Sequence, residues 1–150
     1  MAETRKARAI GLNHVALEVG DIEEALAFYG RLFGFKLRGK SEDAAFIDLG
    51  DHFLALQEGR KQPGDDGRHF GLVVDDKEAV RKALTAAGVN VLPGRFLDFL
   101  DPWGNRIEIV GYDNIQFTKA PHVLRGMGLA DIAKSAQAMK ELADKGMAPA

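Results

Sequence analysis

Apolar and polar residues alternate along two short segments of the chain, 13–19 (NHVALEV) and 68–74 (RHFGLVV). Alternation with a period of two predicts β-strands. Each segment is followed by an acidic residue of the kind that caps a helix, Asp21 or Asp75, and then by apolar residues at helical spacing that end at a glycine. The two segments therefore predict the same strand and helix unit twice.

The spacing of this repeat is regular. His14 and His69 lie 55 residues apart, and Asp21 and Asp75 lie 54 residues apart. Self-similarity at a fixed period indicates a duplicated structural unit. The duplication predicts that histidine occupies the same place in both halves.

Hydrophobic patterning predicts an α+β fold, with helices on one face of a mixed sheet and the opposite faces free to form a cup. In the first half it predicts a helix over 22–33 and strands over 12–19, 35–38, 44–49 and 53–57. In the second half it predicts a helix over 76–87 and strands over 69–74, 89–92, 95–100 and 106–112. An amphipathic stretch over 129–145 predicts a third helix, serving as a scaffold or a dimer contact. Residues 1–9 are expected to be a flexible leader and 59–67 a polar linker.

Composition and charge exclude several classes of function. The chain has 150 residues, 46% of them hydrophobic, which suffices for one domain with a core. Its net charge of −2, with both signs interspersed, provides no basic surface for nucleic acid or an anionic membrane. It has no cysteine, so histidine and carboxylate must supply any metal ligands. No segment has the length of a membrane span, and we expect a cytoplasmic protein that binds a small molecule.

Strand parity brings Glu108 to the same side as the two histidines. In the segment 106–112, Ile107 and Ile109 share one face; if they pack on the helices, Glu108 points into the cup with His14 and His69. Two imidazoles and one carboxylate form a three-ligand site that leaves positions open on a divalent metal. Each residue alone has a simpler interpretation, as a hydrogen-bonded histidine or a solvated charge. Their matching places in the duplicated frame favour the metal site.

The same parity predicts further residues around the cup, two as aromatic walls and three as polar contacts: Phe53, Phe96, Asp98, Arg106 and Tyr112. Asp98 lies among apolar neighbours, where a raised pKa would suit a general base. Its alternative, which cross-strand pairing favours, is an ion pair with Arg106 or Arg95. Trp103 is expected at the exposed rim.

Four segments together resemble the vicinal oxygen chelate superfamily, which includes glyoxalase I, bleomycin-resistance proteins, fosfomycin-resistance thiol transferases and extradiol dioxygenases. They are NHVALEV, AFYGRLFGFKL, RHFGLVV and DPWGNRIEI, and the resemblance spans residues 10–112. It implies two βαβββ modules, at about 10–58 and 68–112, that close an eight-stranded cup within one chain or across a dimer. Residues 113–150 are then a C-terminal helical extension.

The resemblance implies one divalent ion per chain, with Fe²⁺ or Mn²⁺ favoured and Ni²⁺ or Zn²⁺ possible. The family's metal positions fall on His14, His69 and Glu108, and a fourth falls near Ala55, which cannot ligate; Gln57 is a weak substitute. The candidate catalytic residues are Glu108, Asp98 and Tyr112, and the candidate substrate contacts are Phe53, Phe96 and Arg106.

The expected function is that of a metal-dependent enzyme, dioxygenase-like or glyoxalase/lyase-like, whose substrate chelates the metal through adjacent oxygens. One alternative is a binding protein of the bleomycin-resistance type, which the complete triad disfavours. Another is a thiol transferase of the fosfomycin-resistance type. It is disfavoured by Ala16, where that family carries threonine, and by the short segment 92–95, where it carries a lysine- and serine-bearing loop. A homodimer is expected, because the third helix and the strand edges need cover.

Overall fold

Two mixed sheets, one from each half of the chain, form the framework of residues 5–150, which the computed structural model describes. Each half begins with a strand and a crossover helix, and its first strand pairs in parallel with its last. The first sheet has the order β1 (His14–Val19), β4 (Phe53–Glu58), β3 (Ala44–Asp48) and β2 (Leu37–Lys40), with α1 (Ile22–Leu32) after β1. The second has the order β5 (Phe70–Val74), β7 (Arg106–Gly111) and β6 (Leu97–Leu100), with α2 (Lys77–Ala86) after β5. The predicted α+β fold is confirmed.

The strand predicted over 89–92 is reduced to a single bridge between Val91 and Phe99, so the expectation of eight full strands is wrong. Leu92 still donates its amide to the carbonyl of Asp98 at 2.8 Å. Pro93 follows, and a proline has no amide hydrogen to extend the ladder. Gly94, at φ +135°, then turns the chain out of the sheet.

Both long helices begin at an aspartate whose side chain accepts a backbone amide of the first turn. Asp21 accepts from Glu24 at 2.8 Å, and Asp76 accepts from Ala79 at 3.0 Å. The pattern predicted Asp75 as the second cap, but the residue that caps α2 is Asp76. This correction makes the cap spacing 55 residues, equal to that of the histidines.

One hydrophobic core joins the two halves. Helix α1 packs on its own sheet and reaches the second, where the ring of Phe28 lies 6.3 Å from that of Phe99. The hydroxyl of Tyr29 donates to Asp101 Oδ2 at 2.7 Å. The helix-side faces of both sheets thus share this core, while the faces predicted to form the cup are exposed or half-buried except at Ala55 and Asp98.

The C-terminal extension contains two short helices, α3 (Pro121–Gly126) and α4 (Ala136–Asp144), instead of one helix over 129–145. Gly128, at φ +76°, follows the end of α3. Ser135 starts α4 by accepting the amide of Ala138 at 3.2 Å. The apolar stripe of the sequence therefore spans a turn and a helix.

The predicted linker is held against the turn that precedes β7. Asp65 donates its amide to the carbonyl of Gly104 at 2.7 Å. Gly104 has φ +87°, and a Cβ there would lie 2.5 Å from Gly64 Cα, so this position requires glycine. Of the predicted leader, residues 1–4 lie outside the described part and 5–9 are exposed without regular structure. Within residues 5–150 no helix combines the length and the hydropathy needed to cross a membrane.

Candidate metal centre

Glu108 lies on β7, and His69 directly precedes β5, the neighbouring strand of the second sheet. In the register of β5 and β7, Gly71 lies opposite Glu108, and His69 precedes Gly71 by two residues, the spacing that returns to the same face. The carboxylate of Glu108 lies beside Gly71, where a Cβ would lie 3.9 Å from Oε2, an ordinary contact distance. Nδ1 of His69 lies 2.9 Å from the carbonyl of Gly67, which can only accept a hydrogen bond. Nδ1 therefore carries the proton, and Nε2 keeps the lone pair that a metal binds.

His14 has a similar arrangement on the first sheet. Its Nδ1 lies 2.9 Å from Asn13 Oδ1, which likewise leaves Nε2 free. Phe53, opposite His14 in the register of β1 and β4, stacks on the imidazole with ring centroids 4.8 Å apart and planes 10° apart. The ring thus fixes the orientation of an exposed histidine.

The three predicted ligands do not converge within one chain. Across residues 5–150 no three histidine, aspartate or glutamate side chains lie close enough to hold one ion. Glu108 belongs to the second sheet and His69 directly precedes its strand β5, whereas His14 belongs to the first sheet. One chain thus brings together two of the three donors.

Asp98 pairs with Arg106, one of the two arrangements predicted for it. It lies opposite Glu108 in the register of β6 and β7, and its Oδ2 accepts from Arg106 Nε at 2.8 Å. The carboxylate is buried, and its Oδ1 has no hydrogen-bond partner. An ion pair therefore occupies the position at which a free base was considered.

Two residues of the linker accept hydrogen bonds from Arg106. Asp65 Oδ2 accepts the amide of Arg106 at 3.2 Å, and the carbonyl of Asp66 accepts from its guanidinium at 2.6 Å. Burial raises the pKa of Asp65, but hydrogen bonds from Arg68 and Arg106, with the charges of Arg68 and Arg60, outweigh this and lower the pKa overall. The sequence pattern gave no signal for this role, because an acid in a polar linker is ordinarily solvated.

Three other predicted positions differ from expectation. Tyr112 lies beyond the end of β7, in a 3-10 turn, and its buried ring contacts the C-terminal extension instead of Glu108. Phe96 precedes β6 and is 55% exposed, with the guanidinium of Arg95 over its ring. Trp103 is half-buried, because its indole lies against Gly20, which has no side chain.

Ala55 and Gln57 lie where the resemblance placed a fourth ligand. Ala55 is 2% exposed, opposite Ala16 on one side and Phe46 on the other. Gln57 is exposed opposite Glu18. Ala55 is therefore covered by its neighbours and supplies no metal donor beside His14.

The order of the elements agrees with the sequence motifs, and so do the positions of His69 and Glu108. A family comparison shows which superfamily the chain belongs to. Residues 11–109 match the model of the Glyoxalase/Bleomycin resistance protein/Dioxygenase superfamily. The chain belongs to this superfamily. The superfamily match ends before Tyr112, so the C-terminal extension lies outside it.

Within the superfamily the chain is similar to proteins named for thiol transfer. It is 30% identical over 135 residues to the metallothiol transferase FosB of Bacillus licheniformis, covering 77% of this chain and 88% of the relative. It is 30% identical over 110 residues to the glutathione transferase FosA of Serratia marcescens, covering 65% and 78%.

Solved structures of the same fold include FosX, a fosfomycin resistance protein from Listeria monocytogenes, in complex with Mn(II) and sulfate. It superposes with a TM-score of 0.60 at 18% identity and covers 80% of this chain and 99% of its own. A possible glyoxalase from Bacillus cereus superposes with a TM-score of 0.56 at 26% identity, covering 68% and 99%.

Proposed function

We propose that the chain is a divalent-metal-dependent enzyme that transfers a thiol to a small substrate bound through adjacent oxygens. The observation that carries this proposal is the arrangement of His69 and Glu108, which share one face with His69 Nε2 left free to coordinate. Similarity over 135 residues to a metallothiol transferase supports the reaction class. A bound divalent ion would act as a Lewis acid toward the substrate oxygens.

The proposed metal site takes His69 and Glu108 from one protomer and His14 from another. Two features support a site shared in this way. Within residues 5–150 no three potential donors lie close enough to hold one ion, and β1 and β5 are edge strands without a partner on their outer sides in the described structure. Unpaired edges are suited to pairing with a second copy. Mn²⁺ is the proposed ion, with Fe²⁺ as the alternative.

Arg106 is the proposed anchor for a negatively charged part of the substrate. Asp98 and Asp66 hold its guanidinium by two hydrogen bonds, and it is half-buried two residues from Glu108 on the same strand face. A guanidinium has five N–H donors, so donors remain for a substrate oxygen. Phe53 and Phe96 would flank the substrate in the shared cup. Asp98 would position Arg106 and would not contact the substrate itself.

An oxygen-dependent reaction is the second candidate. Ala55 removes the fourth protein ligand, and two histidines with one carboxylate leave positions for both a bidentate substrate and dioxygen. Ala16 and the segment 92–95 also depart from the fosfomycin-resistance pattern. The proposal therefore concerns thiol-transfer chemistry and leaves the natural substrate open.

Metal content tests the ligand set. Protein purified without chelator and loaded with Mn²⁺ is expected to hold about one ion per chain, and His69→Ala and Glu108→Gln are expected to lose it. Matched controls are His122→Ala, an exposed histidine away from the strands, and Glu18→Gln, an exposed carboxylate on the face of His14. Equal metal content in all five proteins would exclude the ligand set.

Reaction class is tested with the loaded enzyme on fosfomycin with glutathione or L-cysteine, and on a catechol with oxygen uptake recorded. Thiol consumption that falls by at least about 100-fold in Glu108→Gln, and not in Glu18→Gln, is the expected result. Oxygen uptake that depends on Glu108 would select the second candidate. Tight substrate binding without turnover under any metal would instead identify a binding protein.

A further inference from the structure

A cavity of about 610 Å³ lies between the strands and the C-terminal extension. Its walls are mainly apolar: Val15, Leu54 and Leu72 line it from the sheets, and Phe117, Leu129 and Ile132 line it from the extension. Sites for small molecules commonly have this size and an apolar lining with few polar groups. The extension, which lies outside the superfamily match, thus supplies one side of a pocket.

Several contacts fasten the extension in place. Lys134 Nζ donates to the carbonyls of Tyr112 and Ile115 at 2.7 and 2.8 Å, and its charge lies 3.7 Å from the centre of the Tyr112 ring. Ser135 donates its amide to the carbonyl of Asp113 at 2.7 Å. These bonds hold the start of α4 against the residues that follow β7.

The cavity contains one buried cation. Lys119 is 8% exposed, and its ammonium donates to the carbonyl of Leu49 at 2.7 Å and to the carboxylate of Asp51. The hydrogen bond from Lys119 lowers the pKa of Asp51 to about 2, with a further contribution from His52, so Asp51 is ionised above about pH 4. An ammonium has three N–H donors, and these two acceptors use two of them. One donor remains in a mainly apolar pocket, whose other polar lining residues include His52, Asp75 and Thr118.

We propose that this cavity binds a small molecule with an apolar body and one acidic or carbonyl oxygen group, which Lys119 anchors. Burial of the apolar surface of the ligand against the cavity walls stabilises the complex, and the third N–H of Lys119 donates to the oxygen group. The side chains of His14 and Phe53 also border the cavity, so its occupant lies beside the first sheet's half of the proposed metal site. The pocket is complete without metal and does not rest on the proposed function.

Two fluorescent probes that differ in one group test the anchor. They are 8-anilinonaphthalene-1-sulfonate and N-phenyl-1-naphthylamine, which has the same apolar body without the sulfonate. Both are titrated into full-length protein with EDTA present. Lys119→Met is expected to weaken binding of the sulfonate by about tenfold and to change that of the neutral probe by less than about twofold.

Two further variants control for folding and place the site. Lys140→Met removes an exposed lysine of the extension that pairs with Asp144 and does not line the cavity, and the affinity for both probes should be retained. Leu129→Trp fills the cavity and should weaken both probes. Near-UV circular dichroism checks that each variant keeps its tertiary structure.

Three outcomes would overturn the proposal. Equal loss of binding of both probes in Lys119→Met means that Lys119 only holds the extension in place. Unchanged binding of the sulfonate means that Lys119 is no anchor. Binding of both probes that falls as protein concentration rises means that a second copy of the chain occupies the cavity.

Discussion

Tyr29 has one of the largest fully buried side chains of the core, and its hydroxyl connects α1 to the turn before β7 through Asp101. Asp101 also accepts from the amides of Trp103 and Asn105 and from Asn105 Nδ2. Burial, followed by the charge of Asp101, raises the pKa of Tyr29 well above its ordinary value. The neutral hydroxyl is thus part of the folded structure.

This raised pKa predicts a specific loss of stability at alkaline pH. In the unfolded chain Tyr29 ionises near pH 10, whereas in the folded protein it stays neutral, so its contribution is complete below about pH 10 and is lost as pH rises further. Tyr29→Phe should cost about 1–3 kcal/mol at pH 7, because Asp101 loses a buried donor. Its unfolding free energy should then fall less steeply than that of the wild type from pH 9.5 to 11. Denaturant titrations measure this, and parallel pH profiles would contradict it.

The residue predictions succeeded where local alternation was sufficient. Parity and the repeat put Glu108 on the strand face that carries Asp98, and cross-strand pairing anticipated the bond from Asp98 to Arg106. Tyr112 was placed incorrectly because β7 ends at Gly111, where the extension turns the chain. The contacts of Tyr112 with Phe117 and Lys119 of the extension leave no periodic signal in the sequence.

At the scale of elements, the start of α1 depends on a close approach that the pattern did not reveal. Gly20 lies between β1 and the cap of α1, and a Cβ there would lie 2.3 Å from Trp103 Nε1. Within α1, Gly30 has nothing within 4 Å of its Cβ position. A side chain therefore has no room at position 20 but has free space at position 30.

Replacing each glycine by alanine should therefore change stability in opposite directions. Gly20→Ala forces the indole of Trp103 out of its site and should destabilise the protein by about 1–3 kcal/mol. Gly30→Ala should stabilise it by about 0.5–1 kcal/mol, because alanine is the better helix former and meets no atom. Urea unfolding of the two variants provides the comparison. A stable Gly20→Ala variant with an unchanged Trp103 emission spectrum would show that the contact is dispensable.

The elements themselves were largely predictable, because each strand and helix has its own hydrophobic period and cap. The failures have local physical causes. Pro93 and Gly94 reduce the strand over 89–92 to one bridge, and Ser135 begins a helix where the apolar stripe suggested the middle of one. An apolar stripe alone does not reveal where a helix is interrupted.

At the scale of the whole molecule, the decisive feature is that both sheets turn their helix-side faces to one core. The sequence predicted which face of each strand would be buried, but parity does not specify whether the two cup faces meet within a chain. The structure directs His14 and the pair of His69 and Glu108 to different sheets. A site composed of all three then needs a second chain, and we expect light scattering to find a dimer at micromolar concentration.

Mixed dimers test this arrangement directly. A heterodimer of His14→Ala with Glu108→Gln, isolated through two different tags, contains one site with all three ligands intact if the site is shared between chains. It should therefore hold about half the Mn²⁺ of the wild-type dimer. The matched control pairs His69→Ala with Glu108→Gln; both changes affect the second sheet, so neither site is complete and no metal should bind. If the first heterodimer is also metal-free while wild type binds the ion, the ligands come from one chain and the shared site is wrong.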